Sequence, residues 1–223
     1  MEIFERQERF GLKDDNGTVI LPAKFYKDFI EKAKEFSFQE LLQIKLIDIQ
    51  QCLRPNGTYE FIGANNRRGL KNYKGQIILD CIYDFVYDFQ PNELIRVRSN
   101  KKWGLANMQG KEVVKCKYNY IYDFQPNGLA EVTFDGKHGI INKNGEKIVE
   151  CKYDCILNFE SNGLAVVGLN NKYGFINEKG EVVVECKYSY IYEFQPNGLA
   201  EALLNGKWGF INEKGEWFED ENI

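Results

Sequence analysis

The sequence predicts an all-β fold, a repeat array of six three-stranded antiparallel meanders along its 223 residues. Three observations predict it. An aromatic-slot residue followed by glycine recurs at Trp103-Gly104, His138-Gly139, Tyr173-Gly174 and Trp208-Gly209, a period of 35 residues. A second glycine follows six residues later in every unit, so that Gly11, Gly69, Gly104, Gly139, Gly174 and Gly209 are answered by Gly17, Gly75, Gly110, Gly145, Gly180 and Gly215. Asp-Gly and Asn-Gly steps stand between short β-branched and aromatic runs, the pattern of tight hairpins. A fixed period of roughly 20 to 50 residues means one supersecondary unit copied and stacked.

The unit from Leu129 to Phe159 illustrates the elements in order. Leu129 to Phe134 is the first strand and Asp135-Gly136 its two-residue turn. Lys137 to Asn142 returns, and Lys143-Asn144-Gly145 makes a second turn in which Asn-Gly supplies positive φ at little cost. The third strand runs from Glu146 to Cys151 and is β-branched at Ile148 and Val149. The connector is ambiguous. Tyr153, Ile156 and Phe159 lie three apart, like Tyr118, Ile121, Phe124 and Tyr188, Ile191, Phe194, which suits a helical or 3₁₀ turn, with a short fourth strand as the alternative. Pro126-Asn127-Gly128, Ser161-Asn162-Gly163 and Pro196-Asn197-Gly198 then turn into the next meander. A glycine inside a strand costs stability, so the first glycine needs a packing reason. A neighbouring backbone or ring lying flat on it is expected, with the Trp of one unit covering the next.

Residues 1–66 form an atypical first unit and 67–223 the regular repeats of one continuous domain. Gly11 and Gly69 are 58 apart, so 23 residues enter the first junction. Phe25, Phe29, Ala33 and Phe36 suit an amphipathic helix, and Leu42 to Ile49 and Thr58 to Ile62 suit lengthened strands. Capping of an exposed hydrophobic end is the expected role, with a dedicated binding insertion as the alternative.

Gly198 to Ala200 followed by Lys207-Trp208-Gly209-Phe210-Ile211-Asn212, with Lys-Gly-Glu and a Lys-Tyr pair between Lys179 and Tyr188, resembles the bacterial WG-repeat family. The resemblance spans nearly the whole chain and is poorest at residues 26–66. Four units carry Cys where that family usually has proline before the Tyr connector. The resemblance implies an all-β array of binding or scaffolding type without a shared catalytic motif, and it implies no ligand.

Composition excludes several classes. Met1 to Arg9 is too charged for a signal peptide and no apolar run approaches a membrane span, so a soluble cytoplasmic chain is expected. Cys81, Cys116, Cys151 and Cys186 occupy equivalent sites, expected to be small buried positions too far apart for disulfides, while Cys52 and Cys155 fall outside the series. No zinc, nucleotide or hydrolase motif is present, so no catalytic residue, cofactor or metal is assigned. The single histidine, His138, sits in an aromatic slot. Asp84, Asp88, Asp123, Asp154 and Glu193 recur with the connectors and suit caps and turns. Asn16-Gly17-Thr18 and Asn56-Gly57-Thr58 match the glycosylation sequon but suit turns.

Two surfaces remain. Residues 61–117 carry eleven Lys or Arg against five Asp or Glu, whereas 118–223 carry nine against seventeen. Arg67, Arg68, Lys71, Lys74, Arg96, Arg98, Lys101 and Lys102 are candidates for a basic patch that steers an acidic partner. Tyr87, Tyr120, Tyr122, Tyr190 and Tyr192 are candidates for an exposed aromatic row, interrupted at Cys155 and Leu157. A non-enzymatic protein-binding or scaffold module is the leading expectation. A carbohydrate or cell-envelope ligand module, or an accessory regulator of a nucleic-acid-processing complex, are the alternatives. Direct nucleic-acid binding is not expected at a net charge of −4. An open superhelix is favoured over a propeller-like ring because the terminal units differ.

Overall fold

The computed structural model describes residues 1–7, 9–25, 27–37, 39–44, 53–63, 66–89 and 94–219. Among the described residues six separate antiparallel sheets follow in chain order, and none closes into a barrel. The first comprises Glu2–Arg6, Arg9–Lys13 and Val19–Phe25. The second comprises Thr58–Ile62, Arg68–Asn72 and Ile77–Tyr83. The third holds Phe85–Phe89, Ile95–Ser99, Lys102–Ala106 and Glu112–Tyr118. The fourth holds Tyr120–Ile121, Leu129–Phe134, Lys137–Asn142 and Lys147–Tyr153. The fifth holds Cys155–Ile156, Leu164–Leu169, Lys172–Asn177 and Val182–Tyr188. The sixth holds Tyr190–Ile191, Leu199–Leu204, Lys207–Asn212 and Trp217–Glu219.

The six meanders are therefore present, and four of them gain a fourth strand. The connector supplies it, in place of the helical turn. Tyr120 pairs with Thr133, Cys155 with Gly168 and Tyr190 with Leu203, so each connector joins the sheet that follows it. The spacing of three that suggested a helical edge arises otherwise: Tyr153 ends one sheet, and Ile156 lies in the next.

By compactness the chain divides into two units, Met1–Asp88 with Val97–Ser99 and Asn107–Lys111, and Phe89–Arg96 with Asn100–Ala106 and Glu112–Ile223. In the first, the insertion is helical at Lys27–Ala33 and again at 39–44, so residues 42–44 are not the strand expected there; 45–52 lie outside the described residues. Ser37 and Glu40 form a capping box at the second helix, each bonding the other's backbone amide. Phe29, Ile30, Ala33, Leu41, Ile44 and Leu53 are buried with Leu12, Leu21 and Phe25, while Tyr59 and Tyr73 pack against them. The inserted residues thus fill a core shared with the first two sheets. Thr58–Ile62 is the strand expected.

In the second unit the fifth sheet is buried on both faces. Leu164, Val166 and Phe175 pack with Ala200, Ala202 and Ile211 of the sixth sheet. Ala165, Val167 and Ile176, the alternate residues of the same strands, pack with Leu129, Ile140, Val149 and Tyr153 of the fourth. Two buried faces explain why Leu164 to Leu169 is almost continuously apolar. Small residues facing large ones let adjacent sheets approach. Burial pushes the hydroxyl of Tyr118, which lies in a matching cluster, up to about 12.

The first glycine of each of the first five units is explained by a bulge. His138 pairs with Tyr153 and Ile140 with Val149, so the third strand carries extra residues over Gly139. A Cβ on Gly139 would lie 2.6 Å from the Val149 carbonyl oxygen and 2.9 Å from the Cys151 nitrogen. The covering backbone belongs to the same sheet, and no tryptophan of a neighbouring unit is needed there. The periodic cysteines lie beside that bulge. The Cys186 thiol lies 3.6 Å from the Val167 carbonyl, Cys81, Cys116, Cys151 and Cys186 are free, and all four are half-buried instead of fully buried.

The second glycine has a different task. Gly145, Gly180 and Gly215 adopt φ near +80 and rest on the third strand of the preceding sheet, at Val113, Ile148 and Val183. A Cβ on Gly180 would lie 2.5 Å from the Ile148 carbonyl oxygen. An asparagine three residues earlier holds each turn. Asn177 accepts hydrogen bonds from the amides of Lys179 and Glu181, both at 3.0 Å, and donates to the Glu181 side chain at 2.7 Å. Asn72, Asn107, Asn142 and Asn212 repeat the two amide bonds, with Asp14 in their place in the first sheet.

Truncating Asn177 removes three bonds, of which the two accepted from backbone amides are worth roughly 1 kcal/mol each at most for exposed partners. Asn177→Ala is expected to lose about 1 to 2 kcal/mol in urea unfolding, while Asn177→Asp, which keeps both acceptors as Asp14 does, loses clearly less.

Candidate functional surface

The short connector strands place the tyrosines by simple alternation. In the fourth sheet Ile121 is buried, so Tyr120 and Tyr122 on either side of it point outward. In the sixth, Ile191 is half-buried, and Tyr190 and Tyr192 are 58% and 56% exposed. The register Tyr190, Leu203, Trp208 across three strands brings the tryptophan to the same face. Its ring lies 6.4 Å from Tyr190 and 6.1 Å from Tyr192, inclined by 28° and 27°. Trp208 is 42% exposed.

The corresponding Trp103 is buried to 7% exposure. Tyr120 of the fourth sheet meets it edge-on at 5.6 Å, and Tyr122 in turn meets Tyr120 at 4.8 Å. The aromatic row is thus two clusters, at Tyr120-Tyr122 and at Tyr190-Tyr192-Trp208, and the second is the open one. Tyr87, in the first compact unit, is exposed, and its carbonyl accepts a hydrogen bond from Arg54 at 2.8 Å.

The basic candidates are largely engaged within the fold. Arg67 pairs with Asp84 at 2.7 Å. Arg68 occupies an aromatic slot, pairs with Glu60 and lies over the Phe85 ring, as does Arg98. Arg96 pairs with Asp123 at 3.0 Å, donates to the Ile121 carbonyl at 3.0 Å and lies over Tyr120. Lys102 lies over Phe134, and Lys101 is an exposed hairpin residue at φ 62. Among these candidates Arg67, Arg68, Arg98 and Tyr87 belong to the first compact unit, and Arg96, Lys101, Lys102 and the other tyrosines to the second.

Of the recurring carboxylates, Asp84 and Asp123 pair with Arg67 and Arg96, and Asp154 caps a backbone amide. Asp154 accepts from Lys137 and from the Asn170 amide at 2.6 Å, and these bonds hold its carboxyl below the usual range. His138 contacts Glu131 through Nδ1. Among the described residues no group of three or more His, Cys, Asp or Glu is arranged to hold a metal, and no helix is long and apolar enough to cross a membrane.

Sequence reasoning recorded the break at Cys155 and Leu157 but missed what it creates. Where the fourth and sixth sheets carry Tyr120, Tyr122, Glu131, Thr133 and Tyr190, Tyr192, Glu201, Leu203, the fifth carries Cys155, Leu157, Val166 and Gly168. Two rings and a charge are missing there. A shallow groove of about 510 Å³ lies between Leu157 and Val166 on one side and Ile191 to Gln195 on the other. A second hollow of about 360 Å³ shares Leu157, Val166 and Glu193 and adds Phe159 and Glu160. Glu160 accepts a hydrogen bond from the Phe194 amide at 3.1 Å. Desolvation, with the negative fields of Glu193 and Glu213, nevertheless holds its carboxyl above the usual range. The detectable signal was the four-position substitution within one unit of a regular repeat.

Comparison with known proteins adds a family assignment. The family model described as a WG containing repeat matches four times, at residues 69–103, 103–137, 139–173 and 173–208. No curated protein matches the chain. Among solved structures, Kluyveromyces lactis Hsv2p is similar at 12% identity and TM-score 0.33, over 73% of this chain and 59% of that one. A eukaryotic initiation factor is similar at 8% identity and TM-score 0.40, over 73% and 48%. An extracellular domain assigned to a hybrid two-component system of B. thetaiotaomicron is similar at 12% identity and TM-score 0.32, over 70% and 26%. The chain spans less than two thirds of each of these structures, and similarity this remote carries no argument about function.

The open aromatic cluster has a direct optical consequence, because the chain holds only three tryptophans. Trp208→Phe is expected to remove most of the acrylamide-quenchable fluorescence, whereas Trp103→Phe leaves the quenchable part in place; Stern–Volmer slopes of the two variants check this.

Proposed function

The chain belongs to the WG-repeat family, and from that membership we propose that it is a non-enzymatic protein-binding module offering a rigid β surface to a partner. One observation carries the reading: Tyr190, Tyr192 and Trp208 stand exposed, with Trp208 stacked against both tyrosines on a sheet whose inner face is locked into the core. Rings held this way give contact area at little entropic cost, and each tyrosine keeps a hydroxyl for bonding. Arg67, Arg68 and Arg96 are paired within the fold, so an acidic partner has less free charge to meet than the composition suggests.

A second reading has its own support, since near-parallel exposed rings also suit a sugar face. Affinity capture from lysate of the source cells with the tagged chain, and with Tyr190→Ala/Trp208→Ala and Arg96→Glu/Arg98→Glu variants, separates these possibilities. A protein captured by the native chain and reduced about tenfold or more by the aromatic pair is expected, consistent with hot-spot side chains worth about 2 kcal/mol. Equal recovery with the aromatic pair mutated removes this surface from the account. A glycan array signal lost in the same variant assigns the surface to carbohydrate.

A further inference from the structure

The groove beside Leu157 exists because one repeat departs from its neighbours. Its floor is apolar, formed by Leu157, Val166, Ile191 and Phe194, and its rim carries Glu160, Glu193 and Tyr192. Leu157 is 50% exposed, although its backbone is fixed by a hydrogen bond that its amide donates to the Val166 carbonyl at 2.9 Å. The open apolar surface is thus presented by ordered backbone. Neighbouring units carry a tyrosine and an acidic side chain at the same positions, Tyr122 with Glu131 and Tyr192 with Glu201.

The charge around this groove has one sign. Glu160 and Glu193 line it, and Glu213, fixed by Asn162 at 3.1 Å, adds its field at Glu160. Residues 118–223 as a whole carry nine basic against seventeen acidic side chains. A cation placed here relieves repulsion among carboxylates that the fold has already brought together. The groove is shallow and follows consecutive connector residues from Ile191 to Gln195, which suits an extended chain better than a compact ligand.

We infer that this groove binds an extended basic peptide segment of a protein partner, seating one apolar side chain on Leu157 and Val166 and directing flanking Lys or Arg toward Glu160 and Glu193. The inference rests on the protein-binding reading and names the chemistry of the segment recognised. Specificity follows from the rim, because an acidic peptide would add negative charge to a site that already holds it.

The test uses the full chain and fluorescein-labelled heptapeptides with a central Phe flanked on both sides by two Lys, two Ser or two Glu and ended by Gly. Fluorescence anisotropy is expected to saturate with the Lys peptide, to be at least several-fold weaker with Ser and to show no binding with Glu. Leu157→Tyr restores the ring of the neighbouring repeats and closes the groove. With the seat for one apolar side chain filled, this variant should weaken the Lys peptide about tenfold or more. Glu193→Gln, an exposed change that leaves packing alone, should weaken it several-fold and reduce its salt dependence. Unaltered affinity in a Leu157→Tyr chain with native circular dichroism, equal binding of Glu and Lys peptides, or no binding of the Lys peptide each overturns the inference. If peptides fail while capture still depends on Tyr190 and Trp208, the groove falls and the binding-module reading stands; if that capture is also indifferent, both fall.

Discussion

The contact on which the repeated part of the fold depends is a glycine turn seated on a carbonyl of the preceding sheet. Gly145 lies against Val113, Gly180 against Ile148 and Gly215 against Val183. Each turn requires glycine twice, once because φ is near +80 and once because a side-chain carbon would collide with the neighbouring strand. With the backbones this close, the side chains between sheets must be small on one side, as Ala165, Ala200 and Ala202 are. Side-chain rungs reinforce the spacing: Gln125 accepts from the Phe159 amide at 2.9 Å, and Asn127 donates to Glu178 at 3.0 Å. The period of 35 residues is therefore a record of inter-sheet distance as much as of strand length.

Much of the fold was legible because the signals were local. Asp135-Gly136 forms its hairpin with both residues at positive φ, and Phe134 faces Lys137 across it. Connector strands were harder, because two residues such as Tyr120 and Ile121 carry too little pattern to separate a strand from a turn; only pairing with Thr133 and Val132 decides. The second turn is signalled in sequence by Asn144-Gly145, whereas the side chain that holds it is Asn142, at the end of the preceding strand. Residues 39–44 took helical form since Ser37 and Glu40 cap them, a signal weaker than the β-branched appearance of the residues that follow.

The candidate surface was legible in part for a related reason. Alternation announces which tyrosines point outward, but not which ring covers which. Trp103 and Trp208 occupy the same slot, yet Tyr120 covers the first, while the second lies open with Tyr190 and Tyr192. Composition likewise overstated the basic patch, since Asp84, Glu60 and Asp123 lie where Arg67, Arg68 and Arg96 can reach them. In a repeat protein the regular positions serve stacking, so departures such as Leu157 and Val166 are where individual surface chemistry arises.

Stacking by the glycine turn is tested most directly by comparing two alanine substitutions. Gly128 and Gly180 have nearly the same φ, +77 and +79, but a Cβ on Gly128 meets nothing within 4 Å, whereas one on Gly180 meets the Ile148 carbonyl at 2.5 Å. Gly128→Ala carries only the left-handed backbone cost of about 1 to 2 kcal/mol. Urea unfolding is expected to show Gly180→Ala less stable than Gly128→Ala by a further 2 kcal/mol or about that, as overpacking predicts. Equal losses for the two substitutions would contradict the account.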